Sequence, residues 1–361
     1  MTFDPLKPHN DLPPLPPKVD VETKAVLRKA IAAGRALAEL KGLGETIPNQ
    51  AMLISTLILQ EAKASSEIEN IITTNDALFR AFTAGSGQFD PATKEVLRYR
   101  EALWEGFSEL KKKPVLTTNV FLRIVRTIKQ NDAGIRNLPG TVIGNRKTGR
   151  VIFTPPTGEA VIRGKLKNLE AFIHGDDALD PLVKLALIHY QFEAIHPFFD
   201  GNGRCGRIIN ILYLVKEGLL ELPVLYLSKA IIDRKAEYYR FLRGVTESGA
   251  WEPWVLYVLD AVEVMARLTR RRILDIRELM DATSSVAKKK LPPRVYSKEL
   301  MEIVFRQPYT KGQFLVDVGI AERKTAAEYL GALEKIGVLK SHRVGRENLY
   351  LNVKLFELLA R

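Results

Sequence analysis

Apolar positions recur at three- and four-residue spacing along most of the chain, so helix is the prevailing expectation. Over residues 22–43, Val26, Leu27, Ala30, Ile31 and Ala38 fall on one stripe, and Gly42 and Gly44 are expected to stop that helix. A second helix is expected to open at Pro48, a favoured first helical position, and to run through 51–59 towards Ser65. The same spacing returns at Val120, Phe121, Ile124, Val125 and Ile128, and across 182–195, 204–216 and 251–280. The pattern breaks at 140–156 (GTVIGNRKTGRVIFTPP), where two short β-branched runs flank a Lys-Thr-Gly turn and read as a β-hairpin. The fold class is therefore mainly α.

Both ends differ from this middle. Residues 1–20 carry prolines at 5, 8, 13, 14, 16 and 17, which block helix and predict an extended surface arm without a core of its own. Residues 282–294 (ATSSVAKKKLPPR) mix small, charged and proline residues and read as a linker. Beyond it, 297–306, 311–318 and 321–336 read as three short helices. The run VLKSHRVGRENLYLN then reads as two strands around 344–348, an order that predicts a winged helix-turn-helix. No fixed-period repeat is present.

With 361 residues the chain is long enough for two or three domains, and 46% hydrophobic with 27% charged residues is an ordinary globular balance. The longest apolar runs, at 51–59 and 208–215, fall short of the roughly 20 residues of a membrane span. The first residues lack the basic and apolar segments of a signal peptide, so the expected location is cytoplasmic. A single cysteine, Cys205, excludes an internal disulfide and any cysteine-cluster metal site. The net charge of +12 favours polyanionic partners, although the basic runs at 111–113, 270–272 and 288–290 are of the kind that usually form solvated faces.

The chemistry concentrates in 195–208, IHPFFDGNGRCGRI, between two apolar helical segments. Pro197 should end the first helix, and Gly201 and Gly203 force a loop that opens directly into the second. Backbone amides of Asn202, Gly203 and Arg204 can converge there on phosphate, aided by the helix dipole. Arg204 and Arg207, three apart, can reach phosphate oxygens from one face of the first turn. Asp200 is the adjacent carboxylate suited to Mg²⁺, and His196, with an ordinary pKa of about 6.5, suits a general base. Gly201, Gly203 and Gly206 also satisfy GxGxxG, but a dinucleotide fingerprint must follow a strand, whereas LVKLALIHYQFEAI has helical spacing; no P-loop is present.

HPFFDGNGRCGR resembles the Fic family motif HPFx(D/E)GNGRxxR at every fixed position, a match expected by chance less than about once in a million chains. HYQFEAI, the hairpin at 141–156 and YYRFL at 238–242 extend the similarity over roughly 115–265. The resemblance implies a Fic helical core at 113–281 with the hairpin as a flap. An N-terminal helical region at 21–112 precedes it, and a winged helix at 295–361 follows the linker. It further implies a protein adenylyltransferase that moves AMP from Mg-ATP to a Ser, Thr or Tyr hydroxyl of a target protein. His196 would take the hydroxyl proton and Asp200 would hold Mg²⁺. Asn202 and Gly203 would bind the α- and β-phosphates, Arg204 the leaving pyrophosphate and Arg207 the γ-phosphate. Gly201, Cys205 and Gly206 of the same turn, Thr141, Val142, Ile143 and Gly144 of the hairpin, and Tyr238 would lie along the nucleotide. The hairpin would hold the target by strand addition. Thr246 stands where some relatives carry an adenine-contacting Asn.

SSEIEN, with Ser65, Glu69 and Asn70 at the fixed positions, is similar to the family's inhibitory pattern (S/T)xxxE(G/N). Glu69 would pair with Arg207 through both guanidinium arms and occupy the γ-phosphate position, while Ser65, at i and i+4 with it, faces the same partner. A glutamate so placed in relatives also directs water at an AMP–protein bond, so removal of AMP is a second implied activity.

Plainer readings stand beside these. His189, Glu193 and His196 could share a metal, but His189 reads better as a hydrogen-bonded core histidine and Cys205 as a packing residue. Phe198 reads as a core anchor. Arg323, Lys324, Arg343 and Arg346 could meet DNA, while Glu322, Glu328 and Glu334 suit a protein partner equally. A homo-oligomer without membrane attachment is expected. The competing function is a DNA-binding regulator whose Fic core senses nucleotide.

Overall fold

The computed structural model describes residues 3–45, 50–85, 87–144, 148–344 and 347–360. Fifteen helices appear among them. An N-terminal group comprises α1 (Lys24–Glu45), α2 (Gln50–Ile68), α3 (Asn75–Ala84) and α4 (Pro91–Lys112). The middle holds α5 (Thr118–Lys129), the strands β1 (Ile143–Gly144) and β2 (Val151–Phe153), α6 (Glu159–His174), α7 (Pro181–Ile195), α8 (Asn202–Lys216), α9 (Leu227–Asp233), α10 (Lys235–Ser248) and α11 (Trp251–Lys290). The C-terminal unit is α12 (Lys298–Phe305), β3 (Tyr309–Thr310), α13 (Gly312–Asp317), α14 (Arg323–Lys335), β4 (Lys340–Val344), β5 (Glu347–Leu351) and α15 (Val353–Ala360). Pro48, Lys147 and Arg346 lie outside the described residues.

α7 is the centre of the molecule. It is apolar around its whole circumference, the signature of a helix covered on every side, and all residues from 182 to 192 are buried. Asp180 starts it by accepting from Leu182 N at 2.8 Å, with Pro181 at the first turn. α11 lies against it, and Trp254 Nε1 donates to Ala186 O at 2.8 Å. α8 packs beside α7 with an equally buried sequence.

Three expectations are corrected by this packing. α1 continues through Gly42 and Gly44, and its buried stripe is Val26, Ala30, Ala33, Leu37 and Leu40; Leu27, Ile31 and Ala38 face outward. The small Ala30 and Ala33 let α11 lie close, and Lys29 ties the pair to Glu263 at 2.9 Å. The segment read as a linker is mostly helix, because α11 runs to Lys290. Nothing in ATSSVAKKK breaks a helix, and Thr283 and Ser285 bond back to Leu279 O (2.7 Å) and Asp281 O (2.9 Å) until Pro292 and Pro293 follow.

The proline-rich arm is extended and mostly exposed, as expected, but it is pinned into the core by two side chains: Leu12 and Leu15 are 3% and 5% exposed. Prolines leave carbonyls without matching amides, and long side chains of the body satisfy them. Asn168 both donates to Leu15 O (3.0 Å) and accepts from Leu15 N (2.9 Å), Lys165 reaches Leu12 O (2.8 Å), and Gln191 reaches Pro13 O (2.9 Å). The arm also backs the hairpin, with His9 N bonded to Thr154 O at 3.0 Å and Phe3 stacked on Phe153.

β1 and β2 pair antiparallel as expected, Ile143 opposite Phe153. In the C-terminal unit β5 is central in an antiparallel sheet ordered β3-β5-β4. This unit rests on α2 and α3: Thr56 bonds to Arg306 O, Arg80 Nε donates to Tyr309 OH (3.1 Å), and Phe79 meets Phe356 edge-on. No described helix is long and apolar enough to cross a membrane.

Candidate active site

The site forms where α7 ends and α8 begins. His196 is the residue after α7, in left-handed backbone (φ 49°), and its N–H still bonds to Phe192 O at 3.0 Å. Asn202 closes the intervening loop with its side chain, accepting from Phe198 N (2.8 Å) and donating to Phe198 O (2.7 Å). Phe198 is fully buried and anchors the loop. Gly201, at φ 84°, makes the turn into α8. The first i→i−4 bond of α8 is Cys205 N to Gly201 O, so the amides of 202–204 precede the helical ladder and can face an anion.

That cradle holds a carboxylate. Arg207, buried on α8, gives Nε to Ser65 Oγ (2.7 Å) and Nη2 to both Ser65 O (2.9 Å) and Glu69 Oε1 (2.9 Å). The guanidinium is thus divided between Ser65 and Glu69 rather than clasped by Glu69 alone. A methyl group at Gly203 would come within 2.4 Å of Glu69 Oε1 and 2.9 Å of Arg207 Nη1, so the ion pair stands directly over the glycine-rich turn. Burial pushes the Glu69 carboxyl up, but the Arg207 charge outweighs it and leaves the group below the ordinary range. Asn70 adopts φ 64° and turns the chain away after the glutamate.

His196 is kept neutral. Burial, reinforced by the Arg136 charge, lowers its pKa to about 4, and its Nδ1 is buried without a hydrogen-bond partner. Arg136 fixes the backbone around it. This buried arginine donates Nε to His196 O (2.6 Å) and Nη2 to Ile195 O (3.1 Å) and to Pro156 O, joining the hairpin's end to the His196 turn, while its N–H bonds to Pro197 O (2.9 Å).

Asp200 is exposed at the mouth of the loop and paired with Lys129; burial raises its pKa, but the Lys129 contact prevails and keeps it ionised below the usual carboxylate range. Lys129 also lies 3.6 Å from Glu95, which accepts from Arg204 Nη1 at 2.6 Å. A chain of alternating charge therefore runs Asp200, Lys129, Glu95, Arg204.

Remaining candidates divide. Cys205 is buried, with its thiol pushed up by burial and bonded to Phe121 O, as a packing residue would be. Gly206 leaves room for Glu193, whose Oε1 would lie 2.6 Å from a methyl there. Tyr238 does not open towards the turn: its hydroxyl bonds to His189 Nε2 (2.9 Å) inside an aromatic cluster with Trp254 and Tyr257. Tyr239 is 46% exposed and lies in the field of Glu69 and Arg207. Thr246 is taken up by Tyr190 OH at 3.0 Å. Ile143 and Gly144 form β1 of the hairpin, and Thr141 and Val142 lead into it, with Val142 exposed. No three His, Cys, Asp or Glu side chains cluster as a metal site among the described residues, so His189, Glu193 and His196 do not share one.

Residues 27–108 match the family model described as Fic/DOC family N-terminal, and residues 279–355 match protein adenylyltransferase SoFic-like, C-terminal domain. These two matches bracket the HPFFDGNGRCGR turn. Both ends of the chain are thus similar to Fic proteins. Among curated proteins it is 34% identical over 108 residues to protein adenylyltransferase fic-1 of Caenorhabditis elegans, covering 29% of this chain and 20% of that one. It is 29% identical over 142 residues to a probable protein adenylyltransferase of Aquifex aeolicus, 38% of each. The matched part of the chain thus spans only a fifth to two fifths of those relatives. Its fold is similar to a Fic family protein of Desulfovibrio desulfuricans (TM-score 0.56, 21% identity, 94% of this chain and 98% of that one). It is also similar to C. elegans Fic-1 (TM-score 0.52, 18% identity, 70% and 74%).

Proposed function

We propose that this protein transfers AMP from Mg-ATP to a hydroxyl side chain of a target protein and is restrained by Glu69. The observation that carries the reading is the Glu69 carboxylate lying over the Gly203 turn on Arg207, in the cradle suited to a terminal phosphate. Relatives named protein adenylyltransferase support the reaction class.

Neutral His196, at the entry to the turn, accepts the proton of the attacking hydroxyl. The hydroxyl oxygen bonds to the α-phosphorus, the bond from that phosphorus to the bridging oxygen breaks, and pyrophosphate leaves. Amides at 202–204 and the Arg204 guanidinium face the phosphates and take up charge on the leaving group. Asp200 fits a divalent cation, being ionised, exposed and already neutralised by a cation in the form of Lys129. Asp200 would hold Mg²⁺ there, and the ion would supply positive charge to offset that of the phosphates. Arg207 becomes available to the γ-phosphate once Glu69 moves aside. β1 carries no strand on its outer side among the described residues, leaving an edge to which a target segment adds while the arm backs β2. Removal of AMP by water directed from Glu69 belongs to the same site.

The helices and hairpin of 298–351 have the order of a winged helix, and α14 exposes Arg323 and Lys324 at its start and Lys335 at its end. Incubating the Glu69→Gly variant with mixed nucleotides and mapping adducts by mass spectrometry tests the donor: AMP on hydroxyl side chains is expected. UMP, phosphate or phosphocholine in its place would overturn the assignment.

A further inference from the structure

α2 presents buried polar side chains one turn apart at Glu61 and Ser65, and Glu69 follows in the turn that ends it. Ser65 and Glu69 hold Arg207. Glu61 does not touch Arg207. Its Oε2 accepts from Ser228 N at 2.9 Å, and its Oε1 accepts from Ser228 Oγ and from Tyr99 OH at 3.2 Å. All of these groups are essentially without solvent contact: Glu61 is 1% exposed and Ser65, Tyr99 and Ser228 are 0% exposed.

A buried carboxyl is retained only where its oxygens find donors. Here the donors come from two other elements, α4 through Tyr99 and α9 through Ser228, so the side chain fastens α2 to both at the turn just before Ser65. Apolar neighbours such as Leu57, Ile58 and Ala62 tolerate small sliding or rotation of a helix, whereas three directed hydrogen bonds do not. Arg207 needs that accuracy, because a shift of a fraction of a turn takes Ser65 Oγ, Ser65 O and Glu69 Oε1 out of reach together.

We infer that Glu61 is a positioning residue for the restraint: it fixes the turn of α2 from which Ser65 and Glu69 engage Arg207. The inference rests on the reading of Glu69 as an inhibitor. The hydrogen bonds of Glu61 go to α4 and α9 and none to the His196 turn, so its loss should free the site rather than disable it.

The test measures transfer of α-phosphate label from ATP to protein, together with amide hydrogen exchange at 62–69, in the full chain. Glu61→Ala should raise transfer at least about fivefold over wild type and speed exchange at 62–69, yet add nothing in a Glu69→Gly background. Glu61→Gln, which keeps an acceptor oxygen for the Ser228 amide, should fall between the two. Tyr99→Phe and Ser228→Ala each remove a donor and should raise transfer in the same way even if Glu61→Ala folds poorly. Equal losses of transfer in both backgrounds would mark Glu61 as merely structural and overturn the inference, as would unchanged exchange and transfer in all four variants. Should Glu69→Gly itself leave transfer unchanged while exchange still responds to Glu61→Ala, it is the inhibitory reading that fails.

Discussion

Ser65 offers Arg207 two acceptors at once, its hydroxyl to Nε at 2.7 Å and its carbonyl to Nη2 at 2.9 Å, the nitrogen that Glu69 also holds. The carbonyl survives substitution; the hydroxyl does not. Losing one such hydrogen bond is worth roughly 0.5–1.5 kcal/mol, or about 2- to 13-fold in an equilibrium. Ser65→Ala is therefore expected to raise auto-modification with ATP several-fold, to a level below that of Glu69→Gly. Equal rates for Ser65→Ala and wild type would show that the hydroxyl contributes nothing to the restraint.

Lys129 pairs with Asp200, the carboxylate proposed to hold Mg²⁺. Exposed ion pairs of this kind are worth about 0–1 kcal/mol, so displacement is easy but measurable. Lys129→Met should lower the Mg²⁺ concentration for half-maximal transfer by up to about fivefold, read from a Mg²⁺ titration. An unchanged midpoint would mean that Lys129 does not compete with the cation.

Glu193 gives a prediction for stability against pH. Burial, opposed by Arg207, raises its folded pKa to about 7 from an ordinary 4.5, and its Oε1 has no partner. A raised carboxyl pKa means that the folded state binds the proton more tightly than the unfolded chain. Its contribution is thus fully present below about pH 4.5 and is lost as pH rises towards 7. Glu193→Gln removes this dependence. Allowing for partial exposure, it should gain ~1–2 kcal/mol over wild type at pH 8 and nothing at pH 4.5, measured by urea unfolding. A gain independent of pH would contradict the assigned cause.

The arm makes the hairpin's rear wall, and Leu15 is its deepest side chain together with Leu12. Leu15→Ala should cost about 2–3 kcal/mol, the lower part of the range for buried leucines, because the arm can relax. Hydrogen exchange should rise at 151–154 as well as in the arm. Protection at 151–154 equal to wild type would separate the arm from the hairpin.

What the sequence revealed follows from how each feature is encoded. The His196 turn was legible because its residues are contiguous and their types follow from phosphate chemistry. Ser65 and Glu69 were legible only through Arg207, since a serine and a glutamate one turn apart are otherwise an ordinary helix face. Glu61, Glu95, Lys129 and Arg136 gave no local signal. Their roles arise from partners distant in sequence, such as His196 for Arg136, 60 positions away, and Ser228 for Glu61, 167 positions away. The buried face of α1 was misjudged by about one position because Leu27 and Ile31 are apolar yet outward, while the close approach of α11 selects alanines. Tyr238 and Tyr239 were indistinguishable as neighbours; only packing against His189 turns the first inward.

The most direct measurement uses Glu69→Gly protein incubated with Mg²⁺ and ATP labelled at either the α- or the γ-phosphate. The account predicts that α-label alone becomes attached to protein, and that adding His196→Ala reduces this by at least about 100-fold, the scale of a lost general base. Attachment of γ-label, or undiminished α-label without His196, would contradict it.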